Sequence, residues 1–147
     1  MAGKTYSFME VTAGMVGPGL VVNLGNGAAA AEEGVTIDPS GDIGGMQIGA
    51  DGEGMHSLYA DKSGQITVRL LKNSPTNKIL SAAYNFQTAA ASSYGQNTFT
   101  LVDKTRGDVI TATQVAFKKA PPLAYAKDGD IVAWEFNAVK IERNLGA

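Results

Sequence analysis

His56 is the chain's single histidine, and its neighbours Met55, Ser57 and Leu58 supply neither a metal-ligand set nor a proton-relay partner. It is read as a loop histidine. No Gly-x-Ser-x-Gly segment is present to hold a nucleophilic serine on a strand-to-helix turn. Asp38-Pro39-Ser40-Gly41-Asp42 spaces its oxygens like the opening of a calcium loop. Ile43 stands where that loop needs glycine, however, and Gly49 where it needs a closing glutamate, so a β-turn is expected. Gly49-Ala50-Asp51-Gly52-Glu53-Gly54 has the glycine density of a phosphate loop. It lacks the Gly-Lys-Ser/Thr ending, opens no helix, and carries two carboxylates that would repel phosphate; Asp61 rather than glycine precedes Lys62-Ser63. Arg106-Gly107-Asp108 spells an adhesion tripeptide, but glycine and aspartate are what a hairpin turn uses anyway. Trp134 and Phe136 could stack on bases or sugars; their alternation with Glu135 and Asn137 assigns them to the core instead. No catalytic residue, cofactor-binding residue or metal ligand is therefore assigned, and no enzyme is expected.

Composition narrows the remaining classes. At 147 residues the chain reads as one domain, large enough for a core without staples. There are no cysteines, which removes disulfides, thiolate metal sites and cysteine nucleophiles. Twelve Lys and Arg stand against 14 Asp and Glu, and the nearest thing to a basic cluster is the pair Lys118-Lys119, so grip on a phosphate backbone is not expected. Met15–Leu24 is broken by Gly17, Pro18, Gly19 and Asn23, too polar for a membrane span. Ser7, Glu10 and Thr12 interrupt any secretory h-region, so the chain reads as soluble and unprocessed.

The elements that would position any site are mostly strands. Thr5–Val11 and Leu20–Leu24 read as strands about a Gly17-Pro18-Gly19 turn, and residues 26–34 as an irregular linker. Val35–Asp38 and Ile43–Gly49 read as short strands, and Gln65–Leu70 alternates at period two. Asp51–Ser63 reads as a long connection, of the kind that is often functional. One helix interrupts the pattern. Ser74 is placed at its N-cap and Pro75 at its first position, with Ile79, Leu80, Ala83, Tyr84 and Phe86 on one side and Asn77, Lys78, Ser81 and Asn85 on the other. Beyond it, Asn97–Val102 and Asp108–Lys119 form one expected hairpin. Leu123–Lys127 and Asp130–Glu142 form a second, closed by Asp128-Gly129. In the last strand Val132, Trp134, Phe136 and Ala138 share the core face. The class is mainly β with one packed helix.

Several runs, taken in order, resemble the tail tube proteins of contractile-tailed bacteriophages. They are Met1–Phe8, Gly49–Gly54, Val68–Asn77, Tyr84–Thr88, Arg106–Val109, Gln114–Pro121 and Tyr125–Gly129, and they span essentially the whole chain. Ala28–Glu32 and Pro39–Ile43 fit least well. The resemblance implies a β-sandwich or barrel-like subunit that joins hexameric rings, which stack into the conduit for DNA delivery. It implies no cofactor. It also implies partners: further copies of the chain, the tail sheath, the tape-measure protein and the baseplate, with DNA passing through untethered and no membrane involved. The location would be the virion tail, after assembly in the host cytoplasm. Two rivals stand beside this: a ring-forming tube component of a bacterial contractile injection system, and a monomeric ligand-binding β-domain using the Asp51–Ser63 loop. With a tube in mind, the polar strand positions Gln65, Thr67, Arg69, Gln114, Glu135 and Asn137 become candidates for the channel lining. Asp51, Glu53, Met55, Leu58 and Tyr59 become candidates for contacts between subunits or rings, because an isolated loop cannot bury such apolar groups.

Overall fold

Alternating apolar and polar side chains draw most of the chain into one antiparallel sheet. A computed structural model describes residues 6–24 and 30–146. The strands are β1 (Val11–Gly17), β2 (Leu20–Asn23), β3 (Ala30–Pro39), β4 (Gly44–Ile48), β5 (Gly54–Leu58), β6 (Gly64–Leu71), β7 (Asn97–Asp103), β8 (Asp108–Lys119) and β9 (Ile131–Asn144), with one helix, α1 (Thr76–Gln87). Seven strands form a sheet in the order β2-β1-β7-β8-β9-β6-β3, while β4 and β5 pair only with each other. The mainly β class with one helix is as read from the sequence. Among the described residues the sheet does not close into a barrel: β2 and β3 are its two edges.

The core lies between one face of this sheet and α1. Met15, Leu20, Ile66, Val68, Leu70, Phe99, Phe117 and Phe136 are all essentially inaccessible to solvent. Val132, Trp134, Phe136 and Ala138 are buried together, as the alternation in the last strand requires. Phe117 is the hub of the aromatic packing. Its ring lies 4.8 Å from Phe136, 5.5 Å edge-on from Tyr84 of the helix, and 5.9 Å from Trp134.

The helix joins the sheet through polar struts as well as apolar packing. Its buried stripe is Thr76, Leu80, Ala83 and Gln87, so Ile79 and Phe86, each one residue ahead of that stripe, are displaced to the exposed flank. The expected apolar side is thus narrower than the sequence pattern implied. Asn77, expected on the solvent side, accepts from the Trp134 Nε1–H at 3.0 Å and donates to the Leu71 carbonyl at 2.9 Å. Gln87 and Asn97 exchange two hydrogen bonds of 2.8 Å in a fully buried amide pair, and Gln87 also donates to the Pro18 carbonyl. That pair explains Gly17: a Cβ there would lie 1.8 Å from the Asn97 Oδ1.

The helix starts later than expected. Pro75 holds the cap position and offers no side-chain bond, while Ser74, one residue earlier, accepts the Thr76 N–H at 3.3 Å. Ser74 and Thr76 are both buried, so water cannot replace this bond. Ser74→Ala is expected to cost about 1 kcal/mol. Chemical denaturation of dissociated subunits checks it, and an unchanged midpoint would remove Ser74 from the helix start.

Other expectations are corrected. Residues 8–10 form a short 3-10 turn, tied by Met9 N–H to Ser7 Oγ at 3.2 Å, and the strand begins only at Val11; Thr5 lies outside the described residues. Of the expected 26–34 linker, residues 30–34 belong to β3 and residues 26–29 lie outside the described residues. The Asp51–Ser63 connection is no loop: residues 54–58 are β5, paired with β4. The expected second hairpin is absent. No strand occurs at 123–127, and β9 has β8 and β6 as its two neighbours, which leaves that segment no pairing partner. The β7–β8 hairpin stands as expected, with a bulge where Gln114 takes φ 52°. No helix among the described residues is long and apolar enough to cross a membrane.

Candidate functional site

Two surfaces of unlike chemistry stand out, and each begins in a local sequence pattern. The first is the β4–β5 arm. Its turn is shaped by Gly52 at φ 90°, by the Glu53 N–H bonded to Asp51 Oδ1 at 3.1 Å, and by the Gly49 N–H bonded to the Glu53 carbonyl at 2.7 Å. This turn is what the glycine-rich run encodes; no helix follows to receive a phosphate. Pairing continues to the root, where the Tyr59 N–H reaches the Ile43 carbonyl at 2.8 Å. Apart from Gly45, every residue of both strands is exposed. Gly45 is held under the Tyr59 hydroxyl, where a Cβ would lie 2.3 Å away.

The arm's register sorts its side chains. Met46 opposes His56, Ile48 opposes Gly54 and Gly44 opposes Leu58, so Met46, Ile48 and Leu58 share one face with His56. Gln47 opposes Met55 on the other face. Leu58 is 86% exposed, Met46 62% and Ile48 58%. The subunit itself leaves this concentration of apolar groups on a slender arm uncovered. Asp51 and Glu53 lie at the tip and Tyr59 at the root, so the predicted contact residues are gathered on this one projection.

The second surface is the sheet face opposite the core. Gln65 opposes Asn137 and Thr67 opposes Glu135 across β6 and β9, while Arg69 follows on the same side of β6. Gln65 Nε2 donates to Glu135 Oε1 at 3.0 Å, Lys119 lies 3.4 Å from the other Glu135 oxygen, and Arg69 donates to Thr36 Oγ1 at 2.7 Å. Gln114, turned out by its bulge, shares an open groove with Asn137, Val139 and Tyr94. Period-two alternation therefore brings Gln65, Thr67, Arg69, Glu135 and Asn137 onto one polar face, and the bulge sets Gln114 beside Asn137 at its margin. Thr36 and Lys119 were missed by the sequence reading, although both lie on strands flanking the candidates.

The residues with chemical potential are committed elsewhere. Asp108 Oδ1 accepts the Gly146 N–H at 2.7 Å, and Gly107 sits at φ 80° in the β7–β8 turn, so Arg106-Gly107-Asp108 is a hairpin turn as expected. Among the described residues no group of three or more His, Cys, Asp or Glu could hold a metal ion. Beside the arm's root, the Lys140 ammonium holds the Glu142 carboxyl below its ordinary range, and the Ser63 hydroxyl and N–H do the same for Asp61. Depressed carboxylates contribute at neutral pH and lose that contribution on acidification; both are fully exposed, so the effect on stability is slight.

Comparison with known proteins follows the same lines. No curated protein matches the chain in sequence. Its fold resembles a chain of the sheath/tube terminator of the PVC extracellular contractile injection system in the extended state, at TM-score 0.64 and 12% identity, covering 98% of this chain and 99% of that one. A chain of the PVC sheath-tube complex in the extended state gives 0.61 and 11%, covering 97% and 93%. A chain of the anti-feeding prophage baseplate gives 0.54 and 7%, covering 98% and 97%. At these identities the likeness is one of fold. The family model described as Bacteriophage PhiTE tail tube protein matches residues 2–146. With that match running over almost all of the sequence, the chain belongs to the Bacteriophage PhiTE tail tube protein family.

Proposed function

We propose that this chain is a single-domain, non-enzymatic virion protein that assembles into hexameric rings, which stack into the phage tail tube and conduct DNA into the host. Besides family membership, one observation carries the reading: the β4–β5 arm displays apolar side chains on both faces and has no core of its own. Such a surface is satisfied by another copy, and rings stacked by such contacts have no free ends except at the tube's termini. The position of β2 and β3 as the end strands of the sheet points the same way, because pairing or covering them between subunits removes an aggregation liability. The tube would be built in the host cytoplasm and reside in the virion tail, with sheath, tape-measure protein and baseplate as partners. The folds it resembles come from a sheath-tube complex, a tube terminator and a baseplate. Those same neighbours favour the second reading, a tube component of a contractile injection system; it shares the assembly and differs in what passes through. The ligand-binding alternative loses its site, since the segment it relied on is an exposed strand with its flanks.

In the assembled tube, the face of Gln65, Thr67, Arg69, Gln114, Glu135 and Asn137 lines the channel. It is polar and mixed in charge, which wets the wall without gripping phosphate. Concentration-dependent sedimentation of the purified protein tests assembly: large particles are expected, and a monomer at every concentration and salt would contradict it. The assembled protein is expected to show no measurable affinity for free duplex DNA at physiological salt. Micromolar binding with a steep salt dependence would overturn the lining assignment.

A further inference from the structure

The chain has two Asp-Gly pairs, Asp51-Gly52 at the tip of the arm and Asp128-Gly129 just before β9. Glycine, without a Cβ, leaves the amide nitrogen after the aspartate unhindered. That nitrogen can attack the aspartate Cγ. An N–Cγ bond forms, the Cγ–OH bond breaks, and the hydroxyl leaves with the amide proton as water, closing a five-membered succinimide. Water then adds to either ring carbonyl and opens the ring. The product is aspartate again or isoaspartate, in which the main chain runs through Cβ and Cγ. No oxidant and no co-reactant other than water is needed. Two conditions control the reaction: the carboxyl and the amide must be free to meet, and the backbone between them must be free to turn.

Exposure does not separate the two pairs, since all four residues are open to solvent. Hydrogen bonding does. At the arm's tip the Asp51 Oδ1 accepts the Glu53 N–H at 3.1 Å, and the Gly52 N–H is bonded to the Gly49 carbonyl at 3.0 Å, so both reacting groups are engaged. The Gly49 N–H bonded to the Glu53 carbonyl at 2.7 Å closes this turn, and the strands behind it are paired. At the other pair, neither the Asp128 carboxylate nor the Gly129 N–H has a hydrogen-bond partner among the described residues. The local bonding begins after it, where Asp130 accepts the Ile131 N–H at 2.7 Å and Ile131 takes its place opposite Leu71 in the ladder.

We propose that Asp128 is a modification site, converted without an enzyme to succinimide and then isoaspartate, and that the arm's turn protects Asp51 from the same reaction. The consequence falls on one surface. Gly129 lines an open groove of about 440 Å³ with Leu71, Lys72, Asn73, Asp130 and Ile131. Isoaspartate lengthens the main chain by one methylene immediately before that wall and leaves the carboxylate on the α-carbon. The rim of the groove is thereby rebuilt while the core is untouched, because the first buried residue of β9 is Val132.

The test is incubation of the folded protein at neutral pH below its unfolding temperature. Isoaspartate is read as methyl transfer from S-adenosylmethionine by an isoaspartyl methyltransferase and located by peptide mapping. It is expected to accumulate several-fold faster at Asp128 than at Asp51 in the folded protein, and at similar rates at both in urea, where the arm's turn is lost. Signal from Asn26-Gly27, which lies outside the described residues, is told apart by its position in the map. Asp128→Glu keeps the charge but can close only a six-membered ring, and should remove the signal at this position. Gly129→Ala should lower the Asp128 signal several-fold with the urea midpoint unchanged, since a Cβ there would meet nothing within 4 Å. Equal rates at the two aspartates in the folded protein, or the same difference in urea as in the folded state, overturn the inference, as does an Asp128 that reacts only after unfolding.

Discussion

Replacing Met46, Ile48 and Leu58 together by serine is expected to abolish tube formation and leave the subunit folded. None of the three belongs to the core, and all stand more than half exposed on one face of the arm. Fully burying a side chain of this kind contributes about 1.5–3 kcal/mol. Losing three such groups from each contact removes several kcal/mol, which at about 1.4 kcal/mol per tenfold weakens every contact by roughly a thousandfold or more. The free subunit loses nothing comparable, because these groups face water before assembly. Far-ultraviolet circular dichroism and the urea midpoint should match the parent, while the pelletable fraction disappears. Tubes that persist, or a variant that unfolds, would contradict the role given to the arm.

The second large effect lies at the centre of the core. Phe117→Ala is expected to destabilise the subunit by about 3–5 kcal/mol, since it removes a buried ring and leaves a cavity that neighbouring strands cannot close. Phe117 is 1% exposed and touches the helix through Tyr84 and the last strand through Trp134 and Phe136, so both layers lose their shared contact. Against a typical stability of about 5–15 kcal/mol that is a large fraction. Phe86→Ala is the matched control. Its ring is 56% exposed on the flank of α1, and its removal should shift the urea midpoint far less. Equal midpoints for the two variants would mean that the aromatic hub does not hold helix to sheet.

Where a strand has one dry face, the sequence was readable. β6 and the first half of β9 alternate because one side meets the core, and their polar sides can be grouped from the sequence alone. Of the arm, only β4 is legible, as the expected Ile43–Gly49 strand. β5 is exposed on both faces and follows glycines at 49, 52 and 54 that resemble a loop, so the sequence merges it into a connection. Its apolar residues were recognisable as anchors, but not as neighbours on one face, because that depends on register with β4. The 120–130 segment misled in the opposite direction. Asp128-Gly129 suits a tight turn, yet a turn makes a hairpin only if the preceding strand finds a free edge, and both edges of β9 were already taken by β8 and β6. Such long-range pairing leaves no local trace. Asn77 shows the same limit for the helix. Its place on the wheel reads as solvent-facing, and only the arrival of Trp134 makes it a strut.

The most direct test is a helical reconstruction, by electron cryomicroscopy, of the purified protein at high concentration. The expected result is a hollow tube of stacked six-membered rings. The sheet face bearing Gln65, Thr67, Glu135 and Asn137 should line the channel, and each β4–β5 arm should be buried against another copy. A protein that never forms tubes, or a tube whose arms remain in solvent and whose channel is lined by α1, would contradict the account.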